Sequence, residues 1–299
     1  MKINVSNSKS RGNFAKKCFA ALLATTLGGI TMVNAGSGHT PVMPSDTPPL
    51  SDKFVNFSVN SLTYLYGFNW NTPFAPCHAR DIITIESFND NKIGDLFFFV
   101  DIANLTTLHR GDPRSGVDYY GELDPRLSFS KIFGKSCKYG IIKDFLFYSG
   151  CLELGSSGSL DNVNRKFGTQ IDTSHFAQLH GMAIDFDIPG FRVAQLNAYW
   201  RRDTSTSGST WQITPVWDIP FKLAGCDFVF KGFADFAGRQ GKLSSSIHTS
   251  PQLMMDVGDK VFHKKGVFFI GTEVDIWHNE FGVKGKDDCV PQIIAQIIF

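Results

Sequence analysis

Residues Gly121-Glu122-Leu123-Asp124-Pro125-Arg126-Leu127-Ser128-Phe129-Ser130 alternate two kinds of side chain along the whole stretch. In an extended strand successive side chains point to opposite faces, so one face is apolar and the other carries three charges and two hydroxyls. A soluble sandwich would turn the apolar face to its core. A barrel that spans an outer membrane would turn that face to lipid and the charged face to a polar lumen. The rest of the chain decides between these two folds.

The first 35 residues have the composition of a secretory signal peptide. Five positive residues precede the apolar run 18–33, and no acidic residue occurs before Asp46. The run is shorter than the roughly 20 residues of a spanning helix, and Asn34-Ala35 suits cleavage before Gly36. The alternative is an uncleaved anchor. Cleavage would change the net charge from +1 to 1 − 5 = −4, and neither value predicts a nucleic-acid partner.

Strand-like segments of roughly ten residues recur after this region, separated by breaks rich in Gly, Asn, Asp and Ser. They lie near 54–66, 81–88, 94–103, 120–131, 143–155, 178–187, 191–202, 209–219, 225–236, 250–257, 265–277 and 289–299. The number of strands is even. The connections after odd-numbered strands are mostly long and those after even-numbered strands are mostly short, as is typical of bacterial barrels. We therefore predict a signal peptide (1–35), a flexible periplasmic arm (36–52), and an all-β domain (53–299). That domain is a single transmembrane antiparallel β-barrel of about 12 strands.

Alternation within the segments assigns their faces. In the third segment Asp95, Phe97, Phe99 and Asp101 oppose Leu96, Phe98, Val100 and Ile102. The last segment alternates apolar residues up to Phe299, and a final strand that closes on Phe is what the outer-membrane assembly machinery recognises. These features predict a protein of the outer membrane of a Gram-negative bacterium, with membrane lipid and that machinery as partners. Strand alternation alone also fits a soluble sandwich.

A series of loose motifs resembles a known family. The motifs are Thr84-Ile85-Glu86-Ser87-Phe88, Asp95-Leu96-Phe97-Phe98-Phe99-Val100-Asp101 and Glu122-Leu123-Asp124-Pro125-Arg126-Leu127-Ser128, followed by Ile142-Lys143-Asp144-Phe145, Asn197-Ala198-Tyr199-Trp200 and the stretch 211–217. In order and spacing this series is similar to the nucleoside-specific channel-forming outer-membrane proteins, the Tsx-like family. The resemblance covers most of the chain after the signal peptide. One branch of that family consists of abundant surface proteins that phages use as receptors, and this sequence is nearer that branch.

The resemblance implies an outer-membrane channel that passes nucleosides by passive diffusion, without a cofactor and without enzymatic activity. Two alternatives remain open at this stage. The first is a surface receptor or structural barrel without selective transport. The second is an outer-membrane enzyme, for which His175, His180, His248 and the run 244–246 are the available parts. None of these lies in the context of a nucleophile elbow.

The candidate solute-binding residues are those that alternation directs into the lumen. Aromatic rings can stack on a base, and charged groups can bind the sugar hydroxyls and the base edges. The binding candidates are Phe97, Phe99, Phe145, Phe147, Tyr199, Glu86, Asp101, Glu122, Arg126, Arg201, Asp235 and Glu273; Asp124, Glu153 and Asp275 are predicted to face inward beside them. The alternative is that the charges pair with one another and brace the wall. For Glu122 and Arg126 we expect such an ion pair.

Five cysteines follow the signal peptide, without any C-x-x-C spacing, and only His78 adjoins one of them. This pattern does not predict a metal site. Because Cys77 and Cys289 fall beside the first and last strands, we predict a disulfide bond between them. Trp200, Trp211 and Trp217 are predicted to lie in the aromatic belt at a membrane interface rather than to bind a solute.

Overall fold

The computed structural model describes residues 54–106 and 116–299, and also the backbone of a short strand, Met32–Asn34. That strand pairs antiparallel with the segment that contains Phe221 and Leu223. Apart from it, the predicted signal peptide and arm lie outside the described residues. No helix among the described residues is long and apolar enough to cross a membrane.

Twelve antiparallel strands form one sheet that closes on itself. Their bounds are β1 Val55–Trp70, β2 Cys77–Asn91, β3 Gly94–Ala103, β4 Asp118–Ser128, β5 Ile142–Ser157, β6 Ser174–Phe186, β7 Val193–Asp203, β8 Thr210–Leu223, β9 Cys226–Ala237, β10 in two pieces (Ser246–Thr249 and Gln252–Asp256), β11 Phe268–His278 and β12 Asp288–Ile298. Each strand pairs with the next. β12 also pairs with β1, with Ile298 opposite Ser61. This closure leaves the sheet without an edge strand, and the predicted 12-stranded barrel is confirmed.

Short helices lie in the connections. They are α1 Phe129–Phe133, α2 Gly158–Phe167, α3 Gly258–Phe262 and the 3-10 turn Glu280–Gly282. α1 begins where the Ser128 hydroxyl accepts a hydrogen bond from Lys131 N, at 3.0 Å. It ends at Gly134, whose φ of 63° lies in the left-handed region that glycine tolerates best. The strand predicted over 120–131 therefore stops at Ser128, because a capped helical turn replaces its last residues.

The two ends of the barrel differ. At one end, which we call the short-turn end, the connections after β2, β6 and β8 contain only two to six residues (92–93, 187–192 and 224–225). The connections after β4 and β10 lie at this end as well and are longer, at 129–141 and 257–267. The opposite end, the long-loop end, carries α2 and the 3-10 turn. In outer-membrane barrels the short turns face the periplasm.

The predicted alternation of faces is confirmed on β3 and β7. On β3, Phe98 and Val100 are exposed on the outer face, while the Asp101 carboxylate accepts a hydrogen bond from Thr84 Oγ1 of β2 at 2.5 Å. On β7, Leu196 and Trp200 are exposed, while Asn197 is buried on the inner side. The outer face therefore presents apolar side chains to lipid, and the inner face carries the polar residues.

Part of the interior is packed with apolar side chains. A cluster on β1 and β8–β12 is buried, and its members are Leu65, Phe221, Val229, Met254, Phe269, Ile294 and Ile298. Most of these residues lie in the half of their strands nearer the short-turn end. Apolar side chains thus fill the interior along β1 and β8–β12 near that end. The inner wall formed by β3–β8 instead carries aromatic and charged side chains.

Candidate functional site: the inner wall of the barrel

A row of aromatic rings crosses the inner wall from β3 to β6. The ring centroids of Phe97 and Phe99 are 6.0 Å apart, those of Phe99 and Tyr120 are 6.0 Å apart, and those of Tyr120 and His175 are 6.1 Å apart. The period of two in β3 puts both phenylalanines on one face. Strand pairing then places Asp101 opposite Tyr120, so Phe99 is diagonal to it. We call these four residues the aromatic row.

Carboxylates lie directly beside the aromatic row. Glu122 on β4 is the register partner of Glu153 on β5, and Tyr120 donates its hydroxyl proton to Glu122 Oε1 at 2.6 Å. Glu122, Cys151 and Glu153 each offer one atom that could bind a metal ion, a carboxylate oxygen or the Sγ atom, and these three atoms lie within 4.8 Å of one another. Nearby, Asp124 Oδ1 is buried and has no hydrogen-bond partner among the residues that the structure describes. This part of the wall is therefore strongly acidic.

Arg201 supplies the positive charge at the acidic part of the wall. Its guanidinium binds both carboxylate oxygens of Glu153, with Nη2 2.6 Å from Oε2. It also donates to Gln212 Oε1 at 2.8 Å. His175 Nε2 lies 2.8 Å from the same Glu153 Oε2. Glu153 is thus already held by a cation and an imidazole, which explains its burial and makes the cluster with Cys151 a poor candidate for a metal site.

The polar lining continues across β8 and β9. Gln212 Nε2 donates to Asp235 Oδ1 at 2.9 Å, and Thr214 Oγ1 donates to the same oxygen at 2.5 Å. Tyr199 reaches the Ser149 hydroxyl at 3.2 Å. Hydrogen-bonding groups therefore extend from β4 to β9 beside the aromatic row, and they can both donate to and accept from a polar solute.

Arg126 has a different partner from the one predicted. It binds the Asp95 carboxylate in a two-pronged contact, at 2.8 Å for both Nε and Nη2, and its Nη1 binds Asp185 at 2.8 Å. The expected ion pair with Glu122 is wrong. Four residues along one strand span about 13 Å, whereas Asp95 is the register partner of Arg126 on the neighbouring strand. The contact braces β3, β4 and β6 against one another.

Glu86 on β2 and Glu273 on β11 also face the interior, and both are hydrogen-bonded. Glu86 Oε2 accepts from Ser61 at 2.6 Å and from Gln296 at 2.9 Å. Glu273 accepts from Gln292 at 2.8 Å and also from Gln252. Lys231, which is 1% exposed, lies in the field of both carboxylates. These residues form a packed polar layer, and Glu86 adjoins the aromatic row because it is the register partner of Phe99 on the neighbouring strand β3.

Phe145 and Phe147 do not face the lumen, so this part of the prediction is wrong. Asp144 accepts a hydrogen bond from Ser130, and Ser149 bonds to Asn197 and Tyr199, so both Asp144 and Ser149 lie on the inner face. They are an odd number of positions apart, and a β-bulge between Leu146 and Ser149 accounts for the extra residue. The prediction extended the alternation from Glu153 to Phe145 without a break. The bulge reverses the faces, and both phenylalanines are 38% exposed on the outer face.

His175, His180 and His248 do not form a Ser-His-Asp triad with any residue that the structure describes. His248 Nε2 contacts Asp275 Oδ1 at 2.8 Å and Ser250 Oγ at 3.3 Å, while the Ser250 hydroxyl donates to the same Asp275 oxygen. A Ser-His-Asp triad needs the serine and the carboxylate on different imidazole nitrogens. His180 lies on the outer face, where it stacks on Trp200. His175 is bound to Glu153, as described above.

The structure also bears on the predictions for three tryptophans and for one disulfide bond. Trp200 and Trp211 are register partners near the long-loop end and are about half exposed, as expected for a belt, whereas Trp217 is more buried. The structure has no disulfide bond between the cysteines it describes, so the bridge predicted between Cys77 and Cys289 is not present. Cys77 lies on β2, and β1 separates that strand from β12.

Sequence reasoning missed two members of the aromatic row. Tyr120 shares a face with Glu122 by the same alternation that placed Glu122 inside, so the signal was present in the sequence. His175 was considered only as part of a catalytic pair. Its place beside Tyr120 depends on the pairing of β5 with β6, where Gly155 is opposite His175, and no local pattern specifies that register.

The closed barrel, its apolar outer face and its polar inner wall define an outer-membrane β-barrel protein, located in the outer membrane of a Gram-negative bacterium. Comparison with known proteins agrees with this class. Outer membrane protein OmpK of Vibrio parahaemolyticus is 22% identical over 221 residues, which are 73% of this chain and 76% of OmpK. No family model matches the chain. Among solved structures, OprB of Pseudomonas putida covers 83% of this chain and 95% of its own at 8% identity, but with a TM-score of 0.31 it carries no argument.

Proposed function

We propose that this protein is an outer-membrane channel through which nucleosides, or small solutes like them, diffuse passively along a polar, aromatic-lined lumen. The observation that carries the proposal is the aromatic row from Phe97 to His175, which lies beside the carboxylates of Glu122 and Glu153 and the guanidinium of Arg201. The resemblance of the sequence motifs to the Tsx-like family supports the same function.

The chemistry of a nucleoside fits this lining. Its base is flat and aromatic, and stacking on a protein ring is worth about 1–3 kcal/mol per base. Its sugar carries hydroxyls that donate to carboxylates and accept from a guanidinium. Several rings in series offer weak sites one after another, so a solute can enter and still leave. The lining needs no cofactor for this function.

A second candidate function is a surface receptor, such as a phage uses, or a structural barrel without selective transport. Two observations favour it. The inward charges at Arg126 and Arg201 are paired with carboxylates, as expected for groups that brace a wall. The apolar cluster around Leu65 and Val229 also fills part of the interior. An occluded lumen would be compatible with both observations.

Solute flux into liposomes that carry the refolded protein tests the proposal. Thymidine and adenosine would be compared with uncharged sugars of similar size, for the wild type, Phe99→Ala and Phe145→Ala. Because Phe99 lies in the aromatic row and Phe145 faces lipid, we expect faster nucleoside entry that falls in Phe99→Ala and is unchanged in the matched control. Equal entry of all solutes would indicate a general pore. No entry from demonstrably folded protein would support the receptor or structural function.

A further inference from the structure

Two connections at the short-turn end share an unusual composition. The first patch is residues 129–143, that is, the connection with α1 and the first two residues of β5, and it carries four lysines and no acidic residue. The second patch is residues 257–267, which include α3 and carry three lysines, one histidine and one aspartate. The two patches lie six strands apart in a barrel of twelve, and therefore on opposite sides of it.

Each patch exposes large apolar side chains instead of burying them. In the first patch Phe133 is 56% exposed and Tyr139 is 81% exposed; in the second Val261 is 52% and Phe262 is 51% exposed. Exposure of such apolar side chains to water is unfavourable. They are the residues that are enriched where a membrane meets water.

The exposed rings contact the outer face of the barrel wall near the short-turn end. The Phe133 ring lies 6.3 Å from that of Phe147, which faces outward on β5. The Phe262 ring lies 5.6 Å from that of Phe268 at the start of β11. Each patch thus extends the apolar surface of the wall past the end of the strands.

The lysines of the patches are only partly neutralised by the protein. Lys131 pairs with Asp90, Lys138 with Asp187, and Lys265 with Asp227. In contrast, Lys135, Lys143, Lys260 and Lys264 form no ion pair within the part of the chain that the structure describes. A lysine can lay its alkyl chain along an apolar surface and direct its ammonium group outward. These four lysines therefore add positive charge, outside any ion pair among the described residues, to the same two patches that expose the rings.

We propose that the two patches bind anionic phospholipid headgroups of the periplasmic leaflet. The rings would lie at the edge of the hydrocarbon region, and the ammonium groups would bind the phosphates just outside it. Phospholipid is the occupant that fits, because exposed apolar rings and positive charge occur together and continue the lipid-facing wall. The proposal does not depend on whether the barrel conducts solutes.

Titration of the folded protein with phosphatidylglycerol tests the proposal, with bound lipid counted by native mass spectrometry. The test variant replaces Lys135, Lys143, Lys260 and Lys264 by Gln. The control variant replaces Lys166, Arg239, Lys242 and Lys284, which lie at the long-loop end, by Gln. We expect binding to weaken about fivefold for each lysine removed, hence about 25-fold at each patch, and to stay unchanged in the control.

Parallel titrations with phosphatidylethanolamine and lipopolysaccharide identify the ligand. Weak binding of phosphatidylethanolamine, equal in all variants, is expected because it carries no net charge. The proposal is overturned if the wild type binds the two phospholipids equally, if the test and control variants lose phosphatidylglycerol to the same extent, or if the test variant loses lipopolysaccharide instead. Folding of each variant is verified by circular dichroism before lipid is added.

Discussion

Glu122 and Glu153 lie directly opposite each other on β4 and β5, and of these two carboxylates Arg201 binds that of Glu153. Glu122 instead accepts a hydrogen bond from Tyr120. Two acidic side chains in register would repel each other on an exposed sheet. Here one of them is neutralised by a guanidinium that reaches from β7, and the acidic part of the wall therefore depends strongly on Arg201.

Replacement of Arg201 by Met should destabilise the barrel strongly. It would leave the buried Glu153 without its cation and opposite another carboxylate, and breaking a buried ion pair costs about 3–5 kcal/mol. Urea unfolding in lipid bilayers would measure the loss. Arg202→Met is the matched control, since Arg202 is exposed on the adjacent position and should change stability by less than about 1 kcal/mol. Equal effects of the two substitutions would contradict this view of the wall.

Replacement of Lys231 by Met should also destabilise the barrel. Lys231 is buried in the field of Glu86, Asp218 and Glu273, and its loss would remove positive charge that offsets these acids, of which Asp218 also pairs with Arg192 at 3.3 Å. We expect a cost of about 1–3 kcal/mol in the same unfolding measurement. Lys222→Met on the same β8–β9 hairpin is the control, because Lys222 is exposed and pairs with Asp227 at the surface. An unchanged midpoint for Lys231→Met would show that the acids do not need this cation.

The sequence predicted the fold better than the site, for a physical reason. Twelve strands and the faces of β3 and β7 follow from local alternation, which a barrel enforces on every strand. The partner of Arg126 and the position of His175 depend instead on which strand residues are opposite each other. Phe145 shows most clearly where prediction from alternation fails. One extra residue at the bulge reverses the faces of all residues that precede it on β5. Alternation in the sequence alone does not reveal such an insertion.

Replacement of Gly181 by Ala should impair folding at the bulge. A Cβ atom at this position would lie 1.8 Å from the carbonyl oxygen of Ala198, a backbone atom that cannot move without breaking the pairing of β6 with β7. We expect a lower yield of refolded protein, measured as the fraction that keeps the compact mobility on gels without heating. Gly155→Ala is the control, because its nearest contact is 3.2 Å away and belongs to a side chain. A normal yield for Gly181→Ala would mean that the bulge is adaptable.

Glu280, at the long-loop end, should make stability depend on pH. Its side chain is buried, and this burial, with the charges of Asp275 and Asp288, raises the pKa of Glu280 from 4.5 to about 8. Since the folded protein holds this proton more tightly than the unfolded chain, stability falls as pH rises from about 4.5 to 8.

Glu280→Gln removes this titration and keeps the shape of the side chain. We expect the variant to unfold at a higher temperature than the wild type at pH 9, and at nearly the same temperature at pH 4.5. Within the described part of the chain Glu280 Oε2 has no hydrogen-bond partner, so an amide group in its place breaks no hydrogen bond of that oxygen. Thermal unfolding followed by circular dichroism at both pH values measures the difference. If the two unfolding temperatures differ by the same amount at both pH values, the pKa of Glu280 is not raised in the folded protein. A pKa that differs between the folded and the unfolded chain is what makes this difference change with pH.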